Sequence, residues 1–143
     1  MLFALLVALN QLSCGPLCSA DAFTQYAGLF TRAQSGNSRV EEGAFLILDD
    51  NGRVHAIDWK SGESDRVSYA GPRPEHCIGT MHTHPLFGDT QPSRGDRDEA
   101  RRVGLPFVVV SRVAVTVAWP DGTVSTLIEG GRWAAMRRPA PPR

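Results

Sequence analysis

The chain has 143 residues, enough for one domain with its own hydrophobic core and too few for two. Apolar residues make up 42% and charged residues 21%, the balance of an ordinary globular protein. A formal net charge of zero excludes the basic footprint of a nucleic-acid-binding protein, and the excess of arginine over the single lysine, Lys60, reads as compositional.

The N-terminus opens on an unbroken apolar run, Leu2 to Leu9. It is shorter than the roughly 20 residues a helix needs to span a bilayer, and it fits the apolar core of a secretory signal. Cys18-Ser19-Ala20 and Ala20-Asp21-Ala22 both offer small-residue cleavage sites. Residues 1–22 are therefore expected to form a signal peptide. The protein would then be exported, periplasmic or secreted, with no membrane span once the leader is removed. Against this, no Lys or Arg precedes Arg32, and Gln11-Leu12-Ser13 is a poor lipoprotein signal before Cys14. The plainer alternative is a buried N-terminal helix in a cytoplasmic protein. If the leader goes, Cys77 is the only cysteine left, no internal disulfide can form, and Cys77 reads as a small core residue.

The domain proper is expected over residues 23–130. Asp21 to Gln34 has Phe23, Tyr26, Ala27 and Phe30 at helical spacing, an apolar seam for packing on a sheet. Glu41 to Leu48 reads as a strand entered by two acids. Asp49-Asp50-Asn51-Gly52 is a strong hairpin signal, and Arg53 to Trp59 returns with Val54, Ala56 and Asp58 on one face. Lys60 to Glu75 is a polar loop with a brief strand near Arg66 to Tyr69. Cys77 to Thr83 is a strand stopped by Pro85. Leu86 to Gln91 is a loop in which Leu86 and Phe87 either cover the site, touch substrate or pack down. Ser93 to Val103 is a charged helix ended by Gly104, with only Ala100 and Val103 suited to a core. Leu105 to Ser111 is a buried strand. Val113 to Trp119 alternates, with Val113, Val115, Val117 and Trp119 on one face. Thr123 to Ile128 pairs back through Pro120-Asp121-Gly122. Residues 131–143 are a Pro/Arg-rich tail expected to be disordered. Helix, strand pair, strand, helix and three strands make an α/β sandwich with a mixed sheet.

The chemistry concentrates in Gly79-Thr80-Met81-His82-Thr83-His84-Pro85 and Pro92-Ser93-Arg94-Gly95-Asp96. Histidines at i and i+2 of a strand point to one face, where two imidazoles can hold one metal ion. Asp96 is the candidate third ligand. Pro92-Ser93 reads as a helix start, which puts Asp96 in the first turn, where a carboxylate suits the dipole. Asp89 and Asp98 are the nearest alternatives. His55 and His76 have no partner at ligand spacing.

An upstream Glu, then His-x-His-Pro, then Pro-Ser-x-x-Asp resembles the JAB/MPN (JAMM) metalloproteases, and His84-Pro85, Gly88-Asp89 and Pro92-Ser93 in that order resemble the bacterial branch. The resemblance spans Glu41 to Ile128. It implies a curved mixed β-sheet flanked by helices, a sandwich like that of the cytidine deaminases, with the site at its edge. It also implies one Zn²⁺ per chain held by His82, His84 and Asp96, with water as fourth ligand. Glu41 would be the general base, Ser93 would polarise the scissile carbonyl, and the substrate would be a peptide or an isopeptide-linked protein. Glu41 fits the family pattern because Ala44 takes the small position before Phe45-Leu46; Glu42 is one residue out of phase. One departure stands: Pro85 through Gly95 make eleven residues between the second His and the Asp, where the family usually has ten.

Two other classes compete. Some members of such a family are binding modules that have lost catalysis, and the longer spacing would suit that. His-x-His with Asp also suits metal-dependent phosphoester hydrolysis, although that chemistry usually needs a second ligand cluster.

Overall fold

The glycine that opens the histidine motif explains how the central strands come together. A Cβ at Gly79 would lie 2.9 Å from the carbonyl oxygen of Pro106, so only glycine lets the two backbones approach. That carbonyl accepts the Thr80 N–H at 3.0 Å. The histidine strand, β3 (Cys77–Thr83), is thereby seated parallel to β4 (Phe107–Val110), with His82 beside Val109.

The computed structural model describes residues 14–33, 41–59, 72–85, 89–130 and 133–134. Around β3 and β4 lie β1 (Gly43–Leu48), β2 (Val54–Asp58), β5 (Ala114–Ala118) and β6 (Val124–Glu129). They form one six-stranded sheet in the order β2-β1-β3-β4-β5-β6. Only the β3–β4 pair is parallel, so the sheet is mixed, as the order of elements implied. The crossover between them is helix α2 (Arg94–Val103), the kind of connection parallel neighbours require. Asn51-Gly52 makes the β1–β2 turn, with Gly52 at φ 75°. Ala44, Leu46 and Leu48 stand opposite Asp58, Ala56 and Val54.

Helix α1 (Ala20–Arg32) covers one face of the sheet. Its seam of Phe23, Tyr26, Leu29 and Phe30 packs on Ala44, Leu46, Met81, Val108, Val110, Val115 and Val117. Helix α2 lies on β4 and β5 with Ala100 buried and Val103 half-buried. With both faces covered, β5 is buried along its whole length, not on alternate residues, and Val113 is 43% exposed. Thr116 Oγ1 donates to the Thr90 carbonyl at 3.0 Å and so ties the loop before α2 to β5.

Two segments differ from the expected domain limits. Trp133, assigned to the tail, is 3% exposed. Its indole Nε1 donates to the Ser111 carbonyl at 2.8 Å, and its ring packs against Phe30. At the other end, residues assigned to the leader are part of the fold. A 3-10 turn over Gly15–Cys18 precedes α1, Cys14 and Cys18 are joined by a disulfide, and Leu17 sits in the core at 3% exposure. The brief strand expected near Arg66 to Tyr69, together with Leu86 and Phe87, lies outside the described residues. Among the described residues no helix is long and apolar enough to cross a membrane.

Candidate metal centre

Strand alternation sends His82 and His84 out of the sheet on the face opposite α1. Asp96 comes to meet them from the first turn of α2. The Nε2 atoms of the two imidazoles are 3.2 Å apart. Oδ1 of Asp96 is 3.2 Å from Nε2 of His82, and Oδ2 is 3.7 Å from Nε2 of His84. Tetrahedral zinc with bonds near 2.0–2.1 Å needs donor atoms about 3.3 Å apart, so the three groups fit one such ion. Among the described residues they are the one group of three or more His, Cys, Asp or Glu able to hold a metal.

Two of the three groups, His84 and Asp96, are oriented by hydrogen bonds behind them. Nδ1 of His84 lies 2.5 Å from the carbonyl of Asp89. A carbonyl only accepts, so a proton is on Nδ1, and in the neutral ring the Nε2 lone pair faces the centre; metal-binding histidines are commonly fixed this way. Asp96 is fixed by a capping box. Ser93 Oγ accepts the Asp96 N–H at 3.1 Å, and the Asp96 carboxylate accepts the Ser93 N–H at 2.7 Å. Ser93 uses its oxygen as an acceptor here and keeps its hydroxyl proton for another partner. At the far end of α2, Gly104 takes the left-handed conformation with φ 70°.

The charges are tightly coupled. Burial alone would push the Asp96 carboxyl up. The imidazoles of His82 and His84 and the Ser93 amide outweigh that and hold it well below the usual carboxylate range. Burial alone would push His84 down, but its bonds to Asp96 and to the Asp89 carbonyl, with the charges of Asp96 and Glu41, raise it. Protons and a divalent cation compete for such a site.

Glu41 and Glu42 lie just before β1. Gly43 is the cross-strand partner of His82, and the Thr83 N–H donates to the Glu42 carbonyl at 2.9 Å. The charge of Glu41 is felt at His84. A second bond fixes this corner: the Glu42 N–H donates to Oγ1 of Thr83 at 2.9 Å. A hydroxyl thus stands in for the carbonyl that would normally close the pair. It does so where β3 leaves β1 and the His84 N–H turns to the Val110 carbonyl.

The structure brings His82, His84 and Asp96 together, with Ser93 bonded to Asp96 and the charge of Glu41 felt at His84. The alternatives turn elsewhere. Asp89 Oδ1 accepts the Gln91 N–H, and Asp98 pairs with Arg94 and Arg101. His55 pairs with Asp49 in the first hairpin. Cys77, expected in the core, is half-buried, and burial pushes its thiol up, away from the thiolate a nucleophile needs. Two contributors escaped sequence reasoning. The Asp89 carbonyl is a backbone group, which no residue type announces. Thr83 carries a β-branched hydroxyl at a strand end, the one sign in the sequence of its bond to the Glu42 amide.

A mixed sheet whose parallel strands are joined by a capped helix, with His-x-His on the strand and a carboxylate returned by the helix, defines an α/β domain with a metal-capable centre of the JAB/MPN kind. Residues 27–122, well over half of the chain, match the family described as prokaryotic homologs of the JAB domain, and the chain belongs to that family. No curated protein matches it.

Proposed function

We propose that the protein is a zinc-dependent peptidase that hydrolyses peptide or isopeptide bonds. The observation that carries this reading is the convergence of Nε2 of His82, Nε2 of His84 and the Asp96 carboxylate at the spacing of a tetrahedral zinc site, with the charge of Glu41 felt at His84. One Zn²⁺ held by these three groups would act as a Lewis acid, polarising the scissile carbonyl and lowering the pKa of water at its open position towards about 7.

The chain's own residues supply the rest. Glu41 takes the proton of the attacking water and returns it to the leaving amine. Ser93 donates its free hydroxyl proton to the developing oxyanion; loss of one such donor costs about 3–4 kcal/mol in other hydrolases. Asp89 and Thr83 act behind them, one holding the His84 ring and the other the backbone beside Glu41.

The extra residue between His84 and Asp96 falls in the connection to α2, and loops absorb insertions. A binding module has no need of a carboxylate whose charge is felt at such a centre. Phosphoester chemistry would call for a second ligand group beside this one. The test is hydrolysis of fluorescein-labelled casein by the zinc-loaded full chain, with Glu41→Gln as control. Cleavage that needs zinc and vanishes in the variant supports the reading. Cleavage that persists in the variant removes Glu41 as the base.

A further inference from the structure

The segment that the sequence offers as the end of a leader is built into the domain. Leu17 lies in the core with Tyr26 and Phe23. A Cβ at Gly79, the first residue of the histidine motif, would be 3.8 Å from Leu17 Cδ2, so this side chain packs over the start of the metal strand. The buried phenol of Tyr26 donates to the Leu17 carbonyl at 2.8 Å. Burial also pushes the Tyr26 pKa up, so the phenol keeps its proton and the bond holds. Ser19 accepts the Ala22 N–H at 3.1 Å and caps α1. Cutting after Ala20 or Ala22 would remove Leu17 from the core, strip the helix of its cap and leave the buried Tyr26 hydroxyl without an acceptor. Neither cut is compatible with this fold.

The Cys14–Cys18 disulfide closes the same hook, with Cys14 buried. Structural disulfides persist in oxidising compartments and are rare in the reducing cytosol. We infer that the working protein keeps Cys14–Ser19 as an oxidised hook on its core and acts outside the cytosol, any processing of the preceding apolar run falling before Cys14. In forming the bond, the two thiols lose two protons and two electrons to a protein disulfide oxidant, which is reduced to its dithiol. The hook's retention does not depend on catalysis. Joined to the peptidase reading, it narrows the substrates to extracytoplasmic proteins and peptides.

The test is to express the full chain with its own N-terminus in a bacterial host, purify it without reductant and measure intact mass and thiol alkylation. The chain has three cysteines. The expected result is an N-terminus at or before Cys14, with Cys77 alone alkylated by maleimide in denaturant and all three cysteines alkylated after reduction. An N-terminus at Asp21 or Phe23, or three free thiols in the untreated protein, overturns the inference. A second arm compares the Cys14→Ser/Cys18→Ser variant, which should keep its zinc content and melt about 5 °C lower. An unchanged melting temperature would show that the hook is no part of the stabilised fold. Neither arm reads peptidase activity, so failure of the peptidase reading would leave the result standing.

Discussion

Asp96 caps its own helix and faces the histidine strand with one carboxylate: Oδ2 accepts the Ser93 N–H at 2.7 Å while Oδ1 lies 3.2 Å from Nε2 of His82. Stability and metal binding are therefore coupled at this residue, and they can be separated by substitution. Asp96→Ala should weaken zinc binding by ~100-fold or more and cost the metal-free protein about 1 kcal/mol through the lost cap. Ser93→Ala should cost a similar amount of stability, keep zinc and lower turnover by about 100-fold. Zinc titration beside urea denaturation of the metal-free variants separates the two effects. Equal zinc affinity in Asp96→Ala and the wild type would remove Asp96 from the ligand set.

The charge of Glu41 reaches His84, and the peptidase reading makes Glu41, not the adjacent Glu42, the base. Glu41→Gln should retain one zinc and lose turnover, by about 10²–10⁴-fold for a general base. Glu42→Gln should leave turnover within a few-fold of wild type, because the proposed base is Glu41. A reversed outcome would make Glu42 the base.

Thr83 closes the Glu42 amide with its hydroxyl and so holds the backbone next to Glu41. Thr83→Val keeps the side-chain shape and removes the acceptor. It should leave zinc affinity unchanged and lower turnover by about 10- to 100-fold through misplacement of Glu41. Thr83→Ser should restore most of the activity. If Val and Ser behave alike, the hydroxyl has no positioning role.

The metal-free centre should also shape the pH profile of stability. The Asp96 pKa is depressed in the fold, so its contribution is present above the usual carboxylate range and is lost as pH falls through the folded value. The His84 pKa is raised, so its contribution is complete below its ordinary 6.5 and is lost as pH rises through the folded value. Metal-free protein should therefore be most stable between these limits and weaken towards pH 8. Zinc must displace the His84 proton, so the rise in melting temperature on adding zinc should grow over the same interval. Thermal melts at pH 5, 6, 7 and 8, with and without zinc, would show it. A zinc effect that shrinks with rising pH would contradict the assignment.

Much of the centre was legible because local rules determine it. His-x-His on a strand stopped by Pro85, a Ser93 cap three residues before Asp96, and Asn51-Gly52 between two short strands each follow from one element's own geometry. What was illegible depends on contacts between distant parts. Val113 to Trp119 alternates on paper, but α1 and the loop at Thr90 cover both faces of β5, so alternation does not report exposure there. Trp133 lies in a stretch with the composition of a tail and is held by Phe30 and Ser111, far away in sequence. Leu17 reads as the end of a leader until the pocket formed by Tyr26 and Gly79 is known.

The central claim is that His82, His84 and Asp96 form one zinc site. The most direct measurement is the metal content of the full chain, hook included, purified after zinc is supplied and free zinc removed, beside the His82→Ala/His84→Ala variant. The account predicts about one zinc per chain in the wild type and none in the variant. No zinc in the wild type, or zinc retained by the variant, would contradict it.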